Sequence, residues 1–365
     1  MAGALQHHIP QFLTRGFRVP GGSKKQSQVW LYAKDEEPRL ALIKDEVAVE
    51  PHFYSEQSSD GSRTLDDEIT DYENKAARSI QGLRNLTPDT PCDPQISAEL
   101  VAHLTIRNDH LRRTFTLGVQ AILGHAIEMF CNEETLRAIL GYDGNTPSPA
   151  LKNAIDAEFA SNPQLAALGL PSQMLYQLGH MAVKQNFKTI FADHIPQLAA
   201  ALASLSSEAS ERARLAHNKA LAAGLAPDKR IEFLSTLFWR IAPSRDSGCL
   251  LPDCIALAED DDQGPKPLML ADLEKLRTVY MPLSPDKLLV GLRVPEQPPN
   301  PFDFNAAAAA ASQSFFISAS REHRFAALSK LTGSCVKDFV DRTIRQIFDE
   351  FLAERRATDR GPAIR

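Results

Sequence analysis

The chain lacks a Gly-x-x-x-x-Gly-Lys phosphate loop, a dinucleotide glycine fingerprint and a His-Glu-x-x-His helix, which removes three of the commonest enzyme readings. No stretch approaches ~18 uninterrupted apolar residues, so a membrane span is not expected. The N-terminus lacks the basic-then-apolar order of a signal peptide. Cysteine is scarce and odd in number. Cys92, Cys131, Cys249, Cys254 and Cys335 are scattered, a pattern of reduced thiols that leads to the expectation of a cytoplasmic protein. Cys249 and Cys254 lie outside the usual zinc spacing with no histidine nearby, so no metal role is expected of them.

Acidic residues are missing before Asp35, where Arg15, Arg18, Lys24, Lys25 and Lys34 are all basic. The net charge of −6 argues against polyanion binding by the whole molecule. The basic segment leaves two readings open: a local patch for phosphate or nucleic acid, or a solvated arm balanced by acidic surface elsewhere.

What is present begins with His7 to Phe17, HHIPQFLTRGF. Proline suits the first turn of a helix and glycine the position past its end, so Pro10 and Gly16 predict a one-turn helix with His7 and His8 beside its N-terminus. Residues 28 to 54 read as strands, QVWLYA followed by LALIKDEVAVE. Leu65, Ile69, Tyr72, Ala76 and Ile80 then recur at helical spacing. After a Pro-rich break, a long helix is expected from Ser97 towards Cys131, kinked at Gly118 or Gly124. More helix follows to Ala226.

Strands return near Ala242, in CLLPDCIALA and in YMPLSPDKLLVGLRV, where Ser284 to Lys287 is turn chemistry for a hairpin. Asn305 and the alanines after it read as a capped helix. A last amphipathic helix carries Val336, Val340, Ile344, Ile347, Phe348 and Phe351 on one face. The expected fold class is α+β, predominantly helical, with one sheet formed by the N-terminal strands and strands from about 237–292. A single domain over 1–365 is expected, with subregions 1–56, 65–226, 227–293 and 305–357.

On the long helix, His103, Arg107, His110, Thr114, His125 and Glu128 fall in one stripe beside the apolar face. His103 and His110 are ~10.5 Å apart along the axis at about 1.5 Å per residue, too far to share one ion. Arg107 with His110 suits an anion better, although a solvated helix face explains the same stripe. Asp253, between apolar runs, either caps a turn or faces a polar site. A triad of His8, Asp253 and Ser284 is conceivable in chain order, but no Gly-x-Ser-x-Gly elbow surrounds Ser284 and a turn role fits it better.

Taken in order, HHIPQFLTRGF, VWLYAKD, Phe53-Tyr54, IRNDHLRR, FWRI, LLPDCIAL and MPLSPDKLLVGL resemble the domain-of-unknown-function family numbered 4238. Its opening His-x-x-Pro-x-x-x-Leu-x-x-Phe matches His7, Pro10, Leu13 and Phe17, which makes His8 the extra histidine. The resemblance also covers Arg107, Asp253 and Pro282 to Pro285. It departs after Asp253, where Cys254-Ile255 replaces the family's Asn-Pro-like pair. Asn305 and the FFISAS that follows resemble the family's closing helix. The family carries no assigned activity, so the resemblance implies architecture and site residues alone.

The combined expectation is a cleft in which His7 and Asp253 are catalytic and Gln11, Arg107, His110 and Ser284 bind substrate, without metal ligands. No cofactor is named. The expected function is an enzyme, of hydrolase type, acting on a phosphate-bearing nucleic acid or nucleotide. Two alternatives stand beside it: a non-catalytic module that binds a ligand or partner, and a purely structural role for the motif residues. No membrane partner is expected, and the oligomeric state is left open.

Overall fold

A computed structural model describes residues 5–21, 26–54, 63–140, 142, 146–162, 164, 169–192, 194–244, 248–260, 264–295 and 302–359. Lys24 and Lys25 of the basic segment lie outside the described residues. The chain divides into two compact units, one of residues 1–116 and 210–339, the other of residues 117–209 and 340–365. The fold is α+β and predominantly helical.

The first unit carries the strands. β1 (Leu5–His7) pairs antiparallel with β4 (Val49–Pro51), His7 opposite Val49. β2 (Gln28–Ala33) and β3 (Arg39–Leu42) join β11 (Phe315–Ser318) and β6 (Leu251–Pro252) in a four-stranded sheet of order β3-β2-β11-β6. A second sheet runs β5-β10-β9-β7-β8, from β5 (Phe238–Pro243), β7 (Leu257–Asp260), β8 (Lys266–Pro267), β9 (Leu276–Ser284) and β10 (Lys287–Leu292). Among the described residues the strands form three sheets, and the N-terminal β2 and β3 share one of them with β6 of the 237–292 region, joined through β11.

The physical reason lies in burial. β9 and β10 are near-continuous apolar runs buried on both faces, and they occupy the centre of their own sheet. FFIS, expected as helix, supplies β11 instead. β-branched and aromatic residues suit a pleated surface, and Phe316 stacks on Tyr32 of β2 with ring centres 5.0 Å apart.

α2 (Leu65–Asn85) follows the predicted stripe, burying Ile69, Ala76, Ile80 and Leu83, with a capping box between Thr64 and Asp67. The long helix after it is two. α3 (Pro94–Ile106) stops at Arg107, which adopts φ −90° and ψ 1°, and α4 (Asp109–Cys131) starts afresh. Asn108 Oδ1 accepts from Leu111 N at 3.1 Å, an N-cap bond. The break thus lies at a capping residue, while Gly118 and Gly124 sit inside α4.

The alanine helix (Phe304–Ala311) is capped by Asp303. Asn305 bonds instead to Leu250 N and Gly248 O, 2.9 Å each. Of the last helix (Ser334–Asp359), Val336, Val340 and Ile344 are buried while Ile347 is exposed.

The second unit is helical. Leu136, Tyr142 and Phe187 form its buried centre, with Arg137 held over the Phe187 ring at 4.9 Å. Among the described residues α4 is the one helix long and apolar enough, by length and composition, to cross a membrane.

Candidate functional site

α1 (Gln11–Thr14) is the predicted one-turn helix, entered through Pro10 and continued by a tighter turn over Arg15–Phe17. Leu13 and Phe17 are its buried anchors. One turn carries His7, Gln11 and Arg15 at spacings of four, and they form a chain. An Arg15 guanidinium N–H donates to Gln11 Oε1, which orients the amide. Gln11 Nε2 therefore donates to His7 Nε2 over 2.8 Å. With Nε2 accepting, the His7 proton sits on Nδ1, which is buried and makes no hydrogen bond among the described residues. Burial lowers its pKa, opposed by the Val47 and Lys44 carbonyls and by the charge of Glu73, so at pH 7 the ring is neutral.

The other half of the cluster comes from α2 and the break after α3. Arg107, 2% exposed, forms an ion pair with half-buried Glu73. The Nε and Nη1 N–H groups of Arg107 have no acceptor among the described residues. Burial works against its charge, but Tyr54 and Glu73 outweigh it, and the guanidinium stays ionised. Tyr54 joins the two halves: its hydroxyl is 2.9 Å from Arg107 O and 3.4 Å from His7 O. Burial pushes that phenol up to about 12, so it serves as a neutral donor. Arg15 Nε and Asn108 Nδ2 are further buried donors without acceptors among the described residues. Half-buried Asp66 borders Glu73, and burial and that neighbour raise its carboxyl pKa.

Arg107, Arg15 and Asn108 thus each carry buried N–H groups without an acceptor among the described residues. Such an arrangement receives an oxyanion well, because each buried donor without an acceptor is costly until one arrives. No group of three or more metal-ligating side chains occurs among the described residues.

The remaining expected site residues belong to other bonding sets. Asp253 accepts from the backbone N–H groups of Gln313, Ser314 and Phe315 at 2.7–3.2 Å. Burial raises its pKa, opposed by those amides and by His110. His110 Nε2 lies 2.9 Å from Ala311 O, and its Nδ1 lies 3.4 Å from Thr114 Oγ1. Arg107 and His110 thus turn to different partners, as the helix break dictates. Ser284 donates to Asp286 Oδ1 at 2.6 Å inside its hairpin turn. His8 lies between Phe53 and Phe315, and burial lowers it to about 4. The stripe His103-to-Glu128 does not persist either: His103 stacks on Tyr72 with centres 3.8 Å apart.

Sequence reasoning missed Glu73, Tyr54, Asn108 and the role of Arg15. Glu73 follows Tyr72 at the edge of the apolar stripe of α2, a carboxylate beside a buried face, and Arg15 is one turn after Gln11. Those spacings were the available signals.

The profile of the family described as "Protein of unknown function (DUF4238)" matches residues 5–306, a span that includes both halves of the cluster. The chain belongs to that family. No curated protein and no solved structure matches it.

Proposed function

We propose that the chain binds a phosphate-bearing ligand, a nucleotide or nucleic-acid end, at the cluster of His7, Gln11, Arg15, Glu73 and Arg107. The observation that carries this reading is the buried, ionised Arg107 guanidinium, whose Nε and Nη1 have no acceptor among the described residues and whose partner Glu73 also lies within electrostatic reach of His7. A phosphate presents several acceptor oxygens to a guanidinium fork. Chemistry on that ligand is a further step of the same reading. His7 is neutral and its Nε2 accepts a hydrogen bond, so release of Gln11 frees it as a general base. Asp253, with both oxygens bound to backbone amides, takes a structural part.

Thermal unfolding with inorganic phosphate, AMP and a short oligonucleotide tests binding, since a ligand selective for the native state raises Tm. The expected result is a rise in the native chain that disappears in Arg107→Lys and shrinks in Arg15→Gln, a half-buried position that spares the fold. Equal rises in all three proteins would overturn the assignment. Phosphorus NMR of the same mixtures reports turnover. Product formation that disappears in His7→Gln supports an enzyme, and binding without product supports a recognition module.

A further inference from the structure

A cavity of about 420 Å³ opens between α2 and α3, within the range that holds small organic ligands. Its rim carries Lys75, Arg78 and Ser79, and its apolar wall is Ala76, Ile96 and Leu100. Lys75 and Arg78 form no ion pair among the described residues, and Arg78 Nε donates to Asn74 O at 3.3 Å. The carboxylate that lines the cavity, Glu99, accepts from Gln95 Nε2 at 2.7 Å, a neutral partner that leaves its charge in place. The lining thus sets two cations and a hydroxyl against one carboxylate. Beside them Ile96 stands 43% exposed, although it belongs to a helix whose other apolar residues are largely covered.

We infer that this cavity is a second binding site, for a small amphipathic anion whose apolar body lies on Ile96, Ala76 and Leu100 and whose carboxylate, sulfonate or phosphate meets Lys75, Arg78 and Ser79. The cavity supplies both halves of the recognition. Apolar area at Ile96 and Leu100 favours burial of a hydrocarbon or ring, and the paired cations select the sign of the head group. Tyr72 also lines the cavity. Its hydroxyl is committed to Glu99 O at 3.2 Å and its ring to His103, so it acts as a fixed wall. The site is distinct from the Arg107 cluster: among the described residues none of its lining side chains hydrogen-bonds to His7, Gln11, Arg15 or Arg107, although Tyr72 lies within electrostatic reach of Arg107.

Fluorescence titration with 8-anilinonaphthalene-1-sulfonate, against the uncharged N-phenyl-1-naphthylamine, tests it in the full chain. One saturable sulfonate site is expected, weakened about tenfold or more by Lys75→Glu with Arg78→Glu, while the neutral probe is unaffected. Ile96→Asp, at an exposed position, is expected to weaken both probes. The phosphate response of the Arg107 cluster is expected to persist in all these variants, which separates the two sites. Sulfonate affinity unchanged by the double charge reversal, or by Ile96→Asp, would overturn the inference.

Discussion

Arg84 Nε donates to Leu283 O at 2.8 Å, and the same guanidinium donates to Phe12 O and Leu13 O at 2.9 Å each. One side chain thereby fastens the opening motif to the β9–β10 hairpin. Gly16 is the partner of this arrangement. A Cβ there would stand 2.4 Å from Leu283 O and 2.2 Å from an Arg84 nitrogen. Glycine is required by close approach, and the end of α1 does not demand it.

Gly16→Ala is therefore expected to destabilise the fold by ~1–3 kcal/mol, because a methyl group is driven against backbone. Arg84→Met is expected to cost ~1–3 kcal/mol by removing the guanidinium donor from the part-buried carbonyls of Phe12, Leu13 and Leu283. Urea unfolding of both variants gives the values. A Gly16→Ala midpoint equal to that of the native chain would refute the close approach.

Much of this architecture was legible before any coordinates. Leu65 to Ile80 gave α2 because a 3.6-residue period needs no distant partner to be seen. The Ser284 to Lys287 turn gave its hairpin for the same reason. The pairing of sheets was not legible: β2 meets β11 with Tyr32 opposite Phe316, 284 residues away, and local pattern carries no such information. The cluster was half legible. His7, Gln11 and Arg107 were visible as motif residues, but Glu73 and Tyr54 act through a meeting of α2, β4 and the α3–α4 break that only folding creates. The partners of Asp253 were not legible, because a buried carboxylate looks the same in sequence whether it faces substrate or three backbone amides.

Glu73→Gln separates the two jobs of the Arg107 guanidinium. Losing the carboxylate removes the competitor for that fork, so phosphate is expected to bind more tightly. The unliganded protein should lose ~1–2 kcal/mol, less than a fully buried pair because Glu73 is half-buried. Calorimetric titration with phosphate and a thermal scan read the two effects. Weaker phosphate binding in Glu73→Gln would mean that the carboxylate helps to build the site.

Asp253→Ala leaves the Gln313, Ser314 and Phe315 amides without their acceptor and is expected to destabilise the protein by ~1–3 kcal/mol. Phosphate binding at the Arg107 cluster should be unchanged. Circular dichroism melts and the phosphate titration test both halves. Loss of phosphate affinity in a variant that still folds would return Asp253 to the ligand site.

Acid sensitivity follows from three histidines that burial holds at about 4: His8, His103 and His217, the last two also opposed by neighbouring arginines. Each has an ordinary value of 6.5 in the unfolded chain, so between these limits the unfolded state binds more protons than the native state. Stability contributed by keeping the rings neutral is complete above pH 6.5 and declines as pH falls towards about 4. Asp253 and Asp66 work in the opposite direction, since a raised carboxyl favours the fold at low pH, but His7 and His110 are lowered in the same sense as the three and add to their effect. The melting temperature is expected to fall by more than ~5 °C between pH 7 and pH 4.5. His8→Phe keeps a ring between Phe53 and Phe315 and removes one of the titrating groups. Its melting curve should therefore depend less steeply on pH than that of the native chain. An equal slope would show that His8 is already protonated in the fold.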